Sequence, residues 1–539
     1  MARIYTEWRC AWFGLILVTL LSGSSFGIPT EDVSTLPKYL QSLEHRIYPD
    51  LREISKQIYH HPEIGRNETF AHAITVDYFQ NRAPGDWNVY PNILETLPTA
   101  WKLESSHKPS HWHGKGNKIL PAVGFLCEFD ALAGIGHSCG HNLIHLVGVY
   151  AASLAREALV HYNIPGRIVV VGTPDEEESC GKHDLFLAGA FEDSQIWMMA
   201  HPASSSAVPP LSARQNVVVR IKRATHFEAV KEVYNTLVLL RNLSLTGTLP
   251  GSFSTVSLIE DVGLFVCNVV QADIALGVVG ANVTVVNNTI NAIKAANAGY
   301  AQTNFTVTDD PNIKGGVAIS FVGNSGHTAT DNLGSLTLSV DSFRTLNASN
   351  PNLKFYLPDN STSTELDFTI DLRTRYTLDM DSLIDIVVSL LPTNNWSLDV
   401  IYPAVEVEPY LGSLFIDTMT LPEYGNQTFP FSTTPPAAGD TSWVQRADVV
   451  KQGGNYTLQS VAKATVHPTF NICNYNRTVT PCPLNHEPGF RLLAATEFAF
   501  RETEKVGRAL AQMAVELLND PDVMAGATAI IRTGPDTKF

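Results

Sequence analysis

The chain is poor in charge, and positive charge is the scarcer sign. It has 37 Lys and Arg residues against 53 Asp and Glu residues, which gives a formal net charge of −16 at pH 7. Nucleic acid and anionic membranes repel such a chain, so we expect neither as a partner. At 539 residues the chain is long enough for two or more domains with a large core.

Several motifs of common enzyme classes are also missing. The sequence has neither the H-E-x-x-H pattern of helix-borne zinc sites nor a phosphate-binding glycine loop. The segment G-N-S-G-H around Ser325 lacks the G-x-S-x-G elbow of serine hydrolases, and no acid is placed to complete a triad. Serine hydrolysis is therefore the weakest hypothesis for this chain.

The N-terminal apolar run is short for a membrane span. Arg3 and Arg9 precede the eleven apolar-leaning residues Ala11–Leu21, and small residues follow up to Gly27. This order is typical of a secretory signal, which we predict over residues 1–27. A retained membrane anchor is the alternative. We expect a secreted, extracellular protein without membrane contact once the signal is removed.

Sequons for N-glycosylation are frequent, as expected for a chain that passes through the secretory pathway. Eleven N-x-S/T sites are present, at Asn67, Asn242, Asn282, Asn287, Asn304, Asn347, Asn360, Asn395, Asn426, Asn455 and Asn476. Each site alone is a weak signal, and their number is what supports a glycoprotein.

Six cysteines follow the predicted signal. Cys473 and Cys482, beside two prolines, are the best disulfide candidates in an oxidising compartment. Three others have the sequence surroundings of buried apolar cysteines, and their pairing cannot be read from the sequence: Cys127, Cys180 and Cys267. Cys139 should stay reduced if it binds a metal.

Apolar runs of strand length alternate with helix-like segments in the first 204 residues. The predicted strands are Pro121–Phe129, Arg167–Gly172 and Ile196–Ala200. The predicted helical segments are Val33–Arg82, Asn142–Leu159, Asp184–Gly189 and, near the end of the chain, Arg491–Leu518. This alternation indicates an open α/β sheet, and ligands bind beyond the carboxyl ends of the strands in such sheets.

The pattern of residue types along the chain changes after residue 204 and changes again near residue 405. We predict a catalytic domain from residues 28–204 and 406–539, interrupted by an inserted α+β domain at 205–405. Two similar blocks in the insert each have a strand, a histidine (His226 or His327) and a helix, which predicts tandem copies over 205–315 and 316–405. One irregular domain is the alternative.

Four short segments hold side chains with the chemistry of metal ligands. They are G-H-S-C-G-H-N with Cys139 and His141, G-T-P-D-E-E-E with Glu176 and Glu177, M-M-A-H-P with His201, and L-N-H-E-P with His486. Buried cysteines, solvated acidic loops and loop histidines are each common without a metal. Together, thiolate, imidazole and carboxylate form the ligand set of borderline first-row metals such as zinc.

The spacing within these segments predicts local geometry. Cys139 and His141 are two apart, so in extended backbone they project to the same side, and Asn142 would cap the following helix. Glu176 and Glu177 are adjacent at a strand end and therefore point apart. One of them can bind metal while the other acts as base towards a metal-activated water.

The order H-x-C-G-H-N, P-x-E-E, A-H-P and N-H-x-x-x-F resembles the aminoacylase/glutamate-carboxypeptidase family of co-catalytic metallopeptidases. The subfamily with a cysteine ligand comprises hippurate, aminobenzoyl-glutamate and indole-acetyl-amino-acid hydrolases and the β-alanyl-lysine/Xaa-Arg dipeptidase group. E-F-D-A-L-A-G-I-G-H-S-C-G-H-N and V-H-P-T-F-N-I resemble that dipeptidase group. The resemblance covers roughly residues 45–204 and 405–520. It implies an open mixed sheet flanked by helices, of zinc-exopeptidase type, with an inserted lid.

The resemblance also implies roles for individual residues. Two divalent metal ions, zinc first and manganese second, would be held by a bridging Cys139 and by His141, Glu177, His201 and His486. Glu176 would be the general base and His327 the lid histidine at the oxyanion. The implied substrate-binding residues of the lid are Arg373, Asn268 and His226. One departure is the loop P-P-A-A-G-D-T-S, which stands where the subfamily has S-T-D-x-G-N-V-S.

The sequence thus leads to two functional hypotheses of different classes. The first is a secreted hydrolase of amide bonds in dipeptides or N-acyl amino acids, with a small peptide or N-acyl amino acid as its substrate. The alternative is a catalytically silent secreted binding protein on the same fold. A doubled lid would allow one copy to stand in for a partner's lid, so we expect a monomer rather than a lid-mediated homodimer.

Overall fold

The computed structural model describes most of the chain beyond the predicted signal. The described residues are 31–110, 112, 119–246, 252–257, 273–301, 303–322, 334–358, 362–433, 435–445, 449–452, 455–458, 463–474 and 482–529. Segment 1–27, His327, Asn268, Asn360 and Asn476 lie outside these ranges.

A six-stranded sheet forms the centre of the first domain. In spatial order its strands are β1 (Asn88–Tyr90), β2 (Trp101–His107), β4 (Gly166–Gly172), β3 (Ala122–Cys127), β5 (Ile196–Met198) and β17 (Ala464–Val466). The strands β4, β3, β5 and β17 run parallel to one another, whereas β1 and β2 are antiparallel to their neighbours. The predicted open mixed α/β sheet is confirmed.

Both faces of this sheet are buried, which explains why its strands read as continuous apolar runs. On β4, Ile168 and Val170 belong to the core shared with three long helices. Val169 and Val171 point to the opposite face, into a smaller cluster that includes Leu185. The three helices are α1 (Leu36–His60), α3 (His141–His161) and α12 (Glu497–Asn519).

Helix α3 is apolar on all sides because it lies at the centre of this layer. Its composition and length would suit a membrane span, but 83% of the most apolar window is buried inside the protein. It packs between α1 and α12. We therefore assign it as the core helix of the domain built on the six-stranded sheet.

Two predicted helical segments are each interrupted. The run Val33–Arg82 forms α1 and then α2 (Thr69–Asn81), separated by a turn that contains Pro62 and Gly65. A Cβ atom on Gly65 would lie 2.2 Å from Asp175 Oδ1, so only glycine fits under the 175–178 loop. The final segment forms α11 (Pro488–Leu493) and α12 instead of one helix.

Shorter elements complete this domain. Strand β6 (His201–Ala203) pairs in parallel with β18 (Thr469–Asn471), and the Cys473–Cys482 disulfide follows β18. The others are α4 (Gly181–Leu187), α9 (Pro409–Met419), α10 (Ser442–Gln445), β15 (Val449–Gln452), β16 (Asn455–Leu458) and α13 (Pro521–Ala529). Cys127, Cys139 and Cys180 are buried and not in disulfides, and Cys267 lies outside the described residues.

The insert contains two four-stranded antiparallel sheets. The first has the spatial order β14 (Trp396–Leu398), β7 (Ala213–Lys222), β13 (Glu365–Thr374) and β8 (Ser252–Ser257), with helices α5 (His226–Thr246) and α8 (Met380–Ser389). The second has the order β12 (Lys354–Tyr356), β9 (Asp273–Val279), β11 (Gly316–Val322) and β10 (Asn304–Asp309), with α6 (Val283–Ala296) and α7 (Gly334–Ser349).

These two units share one topology but are nested, not tandem. Each follows the chain order strand-helix-strand-strand-helix-strand, with its strands in the spatial order 4-1-3-2. The second unit is inserted between β8 and β13 of the first. The predicted boundary at 315/316 is wrong because it would cut between the paired strands β10 and β11. Pairing between β7 and β13, far apart in sequence, is what closes the first unit.

The burial of the sequons varies. Six of the asparagines are exposed, namely Asn67, Asn242, Asn282, Asn304, Asn395 and Asn426. Asn287 and Asn347 are half-buried. The fold therefore leaves room for a glycan at each of the six exposed sites.

Candidate metal centre

The candidate ligands meet at one edge of the central sheet. The segments with Cys139, Glu177 and His201 follow the parallel strands β3, β4 and β5, whose carboxyl ends coincide. His486 arrives from the loop before α11, and its backbone N–H donates to Ser138 O at 2.9 Å. This is the edge at which open α/β sheets bind ligands.

The Cys139–His141 segment is not extended, contrary to the prediction. Gly140 is in the left-handed region (φ 83°) and caps α3, so His141 is already the first helical residue. A Cβ on residue 140 would lie 2.6 Å from Pro202 Cγ, so this turn needs glycine. Asn142 is inside the helix and does not cap it; its side chain donates to Ala494 O at 3.2 Å.

Backbone strain also positions the other ligands. Asp175, ahead of the two glutamates, has φ 64°, and His486 has φ 71°. Non-glycine residues with such angles cluster at functional sites because the surrounding structure holds them there. Asn485 contributes by donating to Cys139 O at 3.2 Å and to Pro202 O at 3.0 Å. This amide ties the His486 loop to two ligand-bearing segments.

The donor atoms lie within reach of two ions. Cys139 Sγ is 3.4 Å from His201 Nε2, and Glu177 Oε1 is 3.3 Å from His486 Nε2 and 3.5 Å from His141 Nε2. Three overlapping groups of donors each lie within 4.8 Å: Cys139, His141 and His201; Cys139, Glu177 and His486; His141, Glu176 and Glu177. Cys139, His141 and Glu177 each belong to two of these groups, so the donor sets of two neighbouring ions would overlap.

The surroundings of these donors fit metal binding. His141 Nε2 is buried and hydrogen-bonds to no residue that the structure describes. Burial, then Glu177 and Glu128, raises the pKa of Glu176 well above its ordinary value. Burial and Glu177 likewise raise the pKa of the Cys139 thiol. Divalent cations would supply the positive charge that lets a buried thiolate and buried carboxylates ionise together.

Asp130 supports the centre, and sequence reasoning did not assign it. Its Oδ1 accepts from His141 Nδ1 at 2.8 Å, and its Oδ2 accepts from the backbone N–H of Glu177 at 2.9 Å. A carboxylate on the second nitrogen of a ligand histidine fixes the ring and its tautomer. The signal was available, since Asp130 stands in the quoted segment E-F-D-A-L, directly after a buried strand.

Replacement of Asp130 should weaken metal binding without unfolding the protein. We expect Asp130→Asn to lower metal affinity about 10- to 100-fold, because His141 loses its charged partner. Titration of the metal-free protein with zinc measures the change. Asp193→Asn, which affects a surface pair with Lys102 at 2.8 Å, is the control and should bind like wild type. Unchanged affinity in Asp130→Asn would contradict the role.

A buried charge network lies directly behind the centre. Lys182 Nζ is 2.6 Å from Glu128 Oε1 and 2.5 Å from Asp440 Oδ1, and all three side chains are buried. Glu128 Oε2 is in turn 3.5 Å from His141 Nε2. Burial opposes ionisation of Glu128, but Lys182 and then His141 outweigh it and lower its pKa to about 2. The network connects the metal centre to the loop that carries Asp440.

The lid residues differ in their placement. Arg373 is buried, with its Nε 2.8 Å from Asp371 Oδ1, and Arg214 Nε is 2.6 Å from Asp371 Oδ2. Burial, then the charges of His141 and His201, lower the pKa of His486 well below its ordinary value, and Arg373 adds to this shift. His226 instead contacts lid backbone through both ring nitrogens, at Ser363 O and Leu357 N.

A cavity of about 140 Å³ opens beside the candidate base. Glu176, Glu128 and His201 form its inner side. The rest of its lining comes from the segments after β5 and β6, the start of the insert, the 436–441 loop, the segment after β17 and the loop before α11. These residues are Met199, Ala203, Ser204, Ser205, Leu211, Pro436, Ala437, Ala438, Gly439, Thr441, His467, Thr469, Leu484 and Asn485. The cavity therefore joins the metal centre to a mainly apolar wall.

Comparison with known proteins agrees with the motif resemblance. The chain is 36% identical to human Xaa-Arg dipeptidase over 207 residues, which are 36% of this chain and 47% of that protein. It is 31% identical over 99 residues to a p-aminobenzoyl-glutamate hydrolase polypeptide from Escherichia coli, covering 15% of this chain and 21% of that one. The relatives confirm the resemblance. No family model matches the chain.

The matches leave much of each protein unaligned, and the chain spans about half the length of the dipeptidases it matches. Among solved structures, a dinuclear metal-binding M20-family peptidase from Bacillus subtilis aligns with 88% of this chain and 99% of its own, at a TM-score of 0.45 and 11% identity. A likeness at that level says nothing about activity. The activity of this chain therefore has to be argued from its own residues.

Proposed function

We propose that this chain is a metal-dependent hydrolase of amide bonds in dipeptides or N-acyl amino acids. The observation that carries the proposal is the convergence of Cys139, His141, Glu177, His201 and His486 at one buried sheet edge, with Glu176 beside them. The partial similarity to an Xaa-Arg dipeptidase and to an aminobenzoyl-glutamate hydrolase supports an amide as the bond that is cleaved.

In this proposal the ligand residues hold two divalent ions, with zinc favoured by the thiolate and manganese also compatible with the set. Such ions, when bound, polarise an amide carbonyl and lower the pKa of water. Glu176 is suited to the role of general base because its carboxylate lines the cavity and lies 3.9 Å from His141 Nε2. It would take a proton from the attacking water and deliver it to the leaving amine nitrogen.

The lid would contribute to substrate binding. Arg373 is a buried lid residue, and a guanidinium suits the carboxylate of a dipeptide or N-acyl amino acid. His327 at the oxyanion and Asn268 beside the substrate remain parts of the proposal that fall outside the described residues. His226, held by lid backbone, is better placed to connect α5 with the neighbouring strands than to touch substrate.

Metal content measured by mass spectrometry tests the centre. We expect about two ions per chain in the wild type and a loss of metal in Cys139→Ala and Glu177→Ala, since each removes a ligand that a second donor cannot replace. Cys127→Ala and Glu178→Ala are matched controls outside the ligand set and should keep their metal. A wild-type protein that stays metal-free after soaking in zinc or manganese would leave the silent binding protein as the better hypothesis.

The same preparation tests export and assembly. We also propose that the chain is secreted, glycosylated and monomeric, supported by the exposed sequons and by the second lid unit. The full chain should then appear in the culture medium, lose mass on enzymatic deglycosylation and show the mass of one chain by light scattering. Retention in the cell or a dimer mass would contradict the respective part.

A further inference from the structure

The lining of the cavity beside Glu176 has few charged residues among those that the structure describes. Its lining among the described residues holds neither Lys nor Arg, and its acids are Glu128 and Glu176. Glu128 is engaged by Lys182 at 2.6 Å, and Glu176 is the candidate base. Away from the metal ligands, the wall presents apolar groups such as Met199, Leu211, Ala437 and Leu484.

The loop that forms this wall turns its one acid away from the cavity. Pro436, Ala437, Ala438 and Gly439 line the space, whereas the side chain of Asp440 is fully buried against Lys182. The backbone N–H of Lys182 also donates to Asp440 Oδ2 at 2.9 Å. Two contacts thus hold the acid outside the cavity and leave methyl and methylene groups facing it.

His467 is a buried polar side chain of the lining, which also holds Ser204, Ser205, Thr441, Thr469 and Asn485. His467 follows the carboxyl end of β17, is 8% exposed and lines the cavity. Neither of its ring nitrogens hydrogen-bonds to a residue that the structure describes. Its ring lies edge-on to that of His201, with the centroids 5.9 Å apart. A buried imidazole normally has a partner, so this one points to a group that arrives with a ligand.

We propose that this cavity binds an uncharged, mainly apolar side chain or acyl group of the substrate, and that His467 hydrogen-bonds to the substrate that fills it. The inference rests on the proposed amide hydrolysis and adds its substrate class. Away from Glu176 and Glu128, an ammonium or guanidinium group would lose its water at this wall without gaining a counter-charge, which is costly. An alkyl or aromatic group would bury apolar surface instead.

Matched dipeptides test the charge preference. Norleucine and lysine have side chains of the same carbon length and differ by the ammonium group, so we compare Nle-Ala with Lys-Ala and Ala-Nle with Ala-Lys. At the position that enters the cavity, we expect kcat/KM for norleucine to exceed that for lysine by at least about tenfold. Equal rates, or faster cleavage of the lysine peptide, at both positions would overturn the proposal.

Substitution of the wall identifies the position. Ala437→Asp should lower the ratio of norleucine to lysine by at least about tenfold at one position of the dipeptide and leave the other unchanged. Ala437→Asn has the same shape without the charge and is the matched control, for which the preference should persist. If Ala437→Asp leaves both ratios unchanged, the substrate side chain does not enter this cavity.

Substitution of His467 tests the hydrogen bond. His467→Leu should raise KM for the norleucine peptide about 3- to 10-fold with little change in kcat, the effect of one lost hydrogen bond, and His467→Gln should restore part of it. Metal content is measured in parallel and should equal that of wild type. A fall in kcat together with loss of metal would instead assign His467 to support of His201, and unchanged KM would exclude the contact.

These outcomes separate the inference from the proposed function. If the metal-loaded protein hydrolyses neither the four peptides nor their N-acyl analogues, the proposed function itself is contradicted. Calorimetric binding of free norleucine and lysine then still tests the cavity, because binding needs no turnover, and a preference for lysine there would overturn the inference. Hydrolysis with a lysine preference overturns the inference alone and leaves the proposed function intact.

Discussion

Glu176→Gln should abolish most of the hydrolysis while both metal ions stay bound. Glutamine has the shape of glutamate but cannot accept a proton, so kcat should fall about 10²- to 10⁴-fold with little change in KM. Glu176 lines the cavity, whereas Glu177 faces His486 and His141. In the proposed function, Glu176 is therefore the base and Glu177 the metal ligand.

The measurement is steady-state kinetics together with metal analysis on the same preparation. Glu178→Gln is the matched control, because this neighbouring acid is half-buried and does not belong to the donor groups. Its kcat should stay close to wild type. Loss of metal in Glu176→Gln would show that Glu176 is a ligand, and wild-type kcat would show that another group takes the proton.

Lys182→Met should destabilise the fold by about 3–5 kcal/mol, the expected cost of breaking a buried ion pair by removal of one partner. Lys182 is the ammonium between Glu128 and Asp440, and all three side chains are buried. Burial raises the pKa of Asp440 to about 6 even with Lys182 beside it. Without Lys182, two carboxylates would lie next to the metal centre without a counter-charge from the protein.

A reduced midpoint of chemical denaturation would reveal this loss. The combination of Lys182→Met with Glu128→Gln and Asp440→Asn should recover much of the stability, since replacing a whole buried ionic group costs far less than breaking it. Lys505→Met is the surface control: its pair with Glu502 is partly exposed, and the change should stay within about 0.5 kcal/mol. Wild-type stability in Lys182→Met would contradict a structural role for the network.

The six-stranded sheet could be predicted because the residues that indicate each of its strands are adjacent in the sequence. Strands β3, β4 and β5 are continuous apolar runs, which is the pattern of strands buried on both faces. Polar segments follow them. The predicted helix boundaries were wrong where a local backbone constraint interrupted the helical pattern of apolar residues. Pro62 and Gly65 end the first helical run, and Gly65 is needed for its close approach to Asp175.

The arrangement of the two units in the insert could be predicted only in part from the sequence. Two strand-histidine-helix starts indicated a duplication, and the sheets contain two units of one topology. The sequence did not reveal that one unit lies inside the other. Paired strands such as β7 and β13 are more than 140 residues apart in the chain, as the register pair Arg220 and Asp367 shows. The hydrophobic period and the residue propensities of a segment predict a strand, but they do not predict which strand it pairs with.

By itself, the sequence determined which atoms are available for chemistry: the thiol of Cys139, three imidazoles and two adjacent carboxylates, in an order that resembles a metallopeptidase family. The tertiary structure decided how these groups are charged and supported. Asp130 orients His141, Lys182 pairs with Glu128 and with Asp440, which is 258 positions from Lys182, and His467 lines the cavity. The physical reason is that ionisation and hydrogen bonding depend on distance and burial in space, which separation along the chain does not specify.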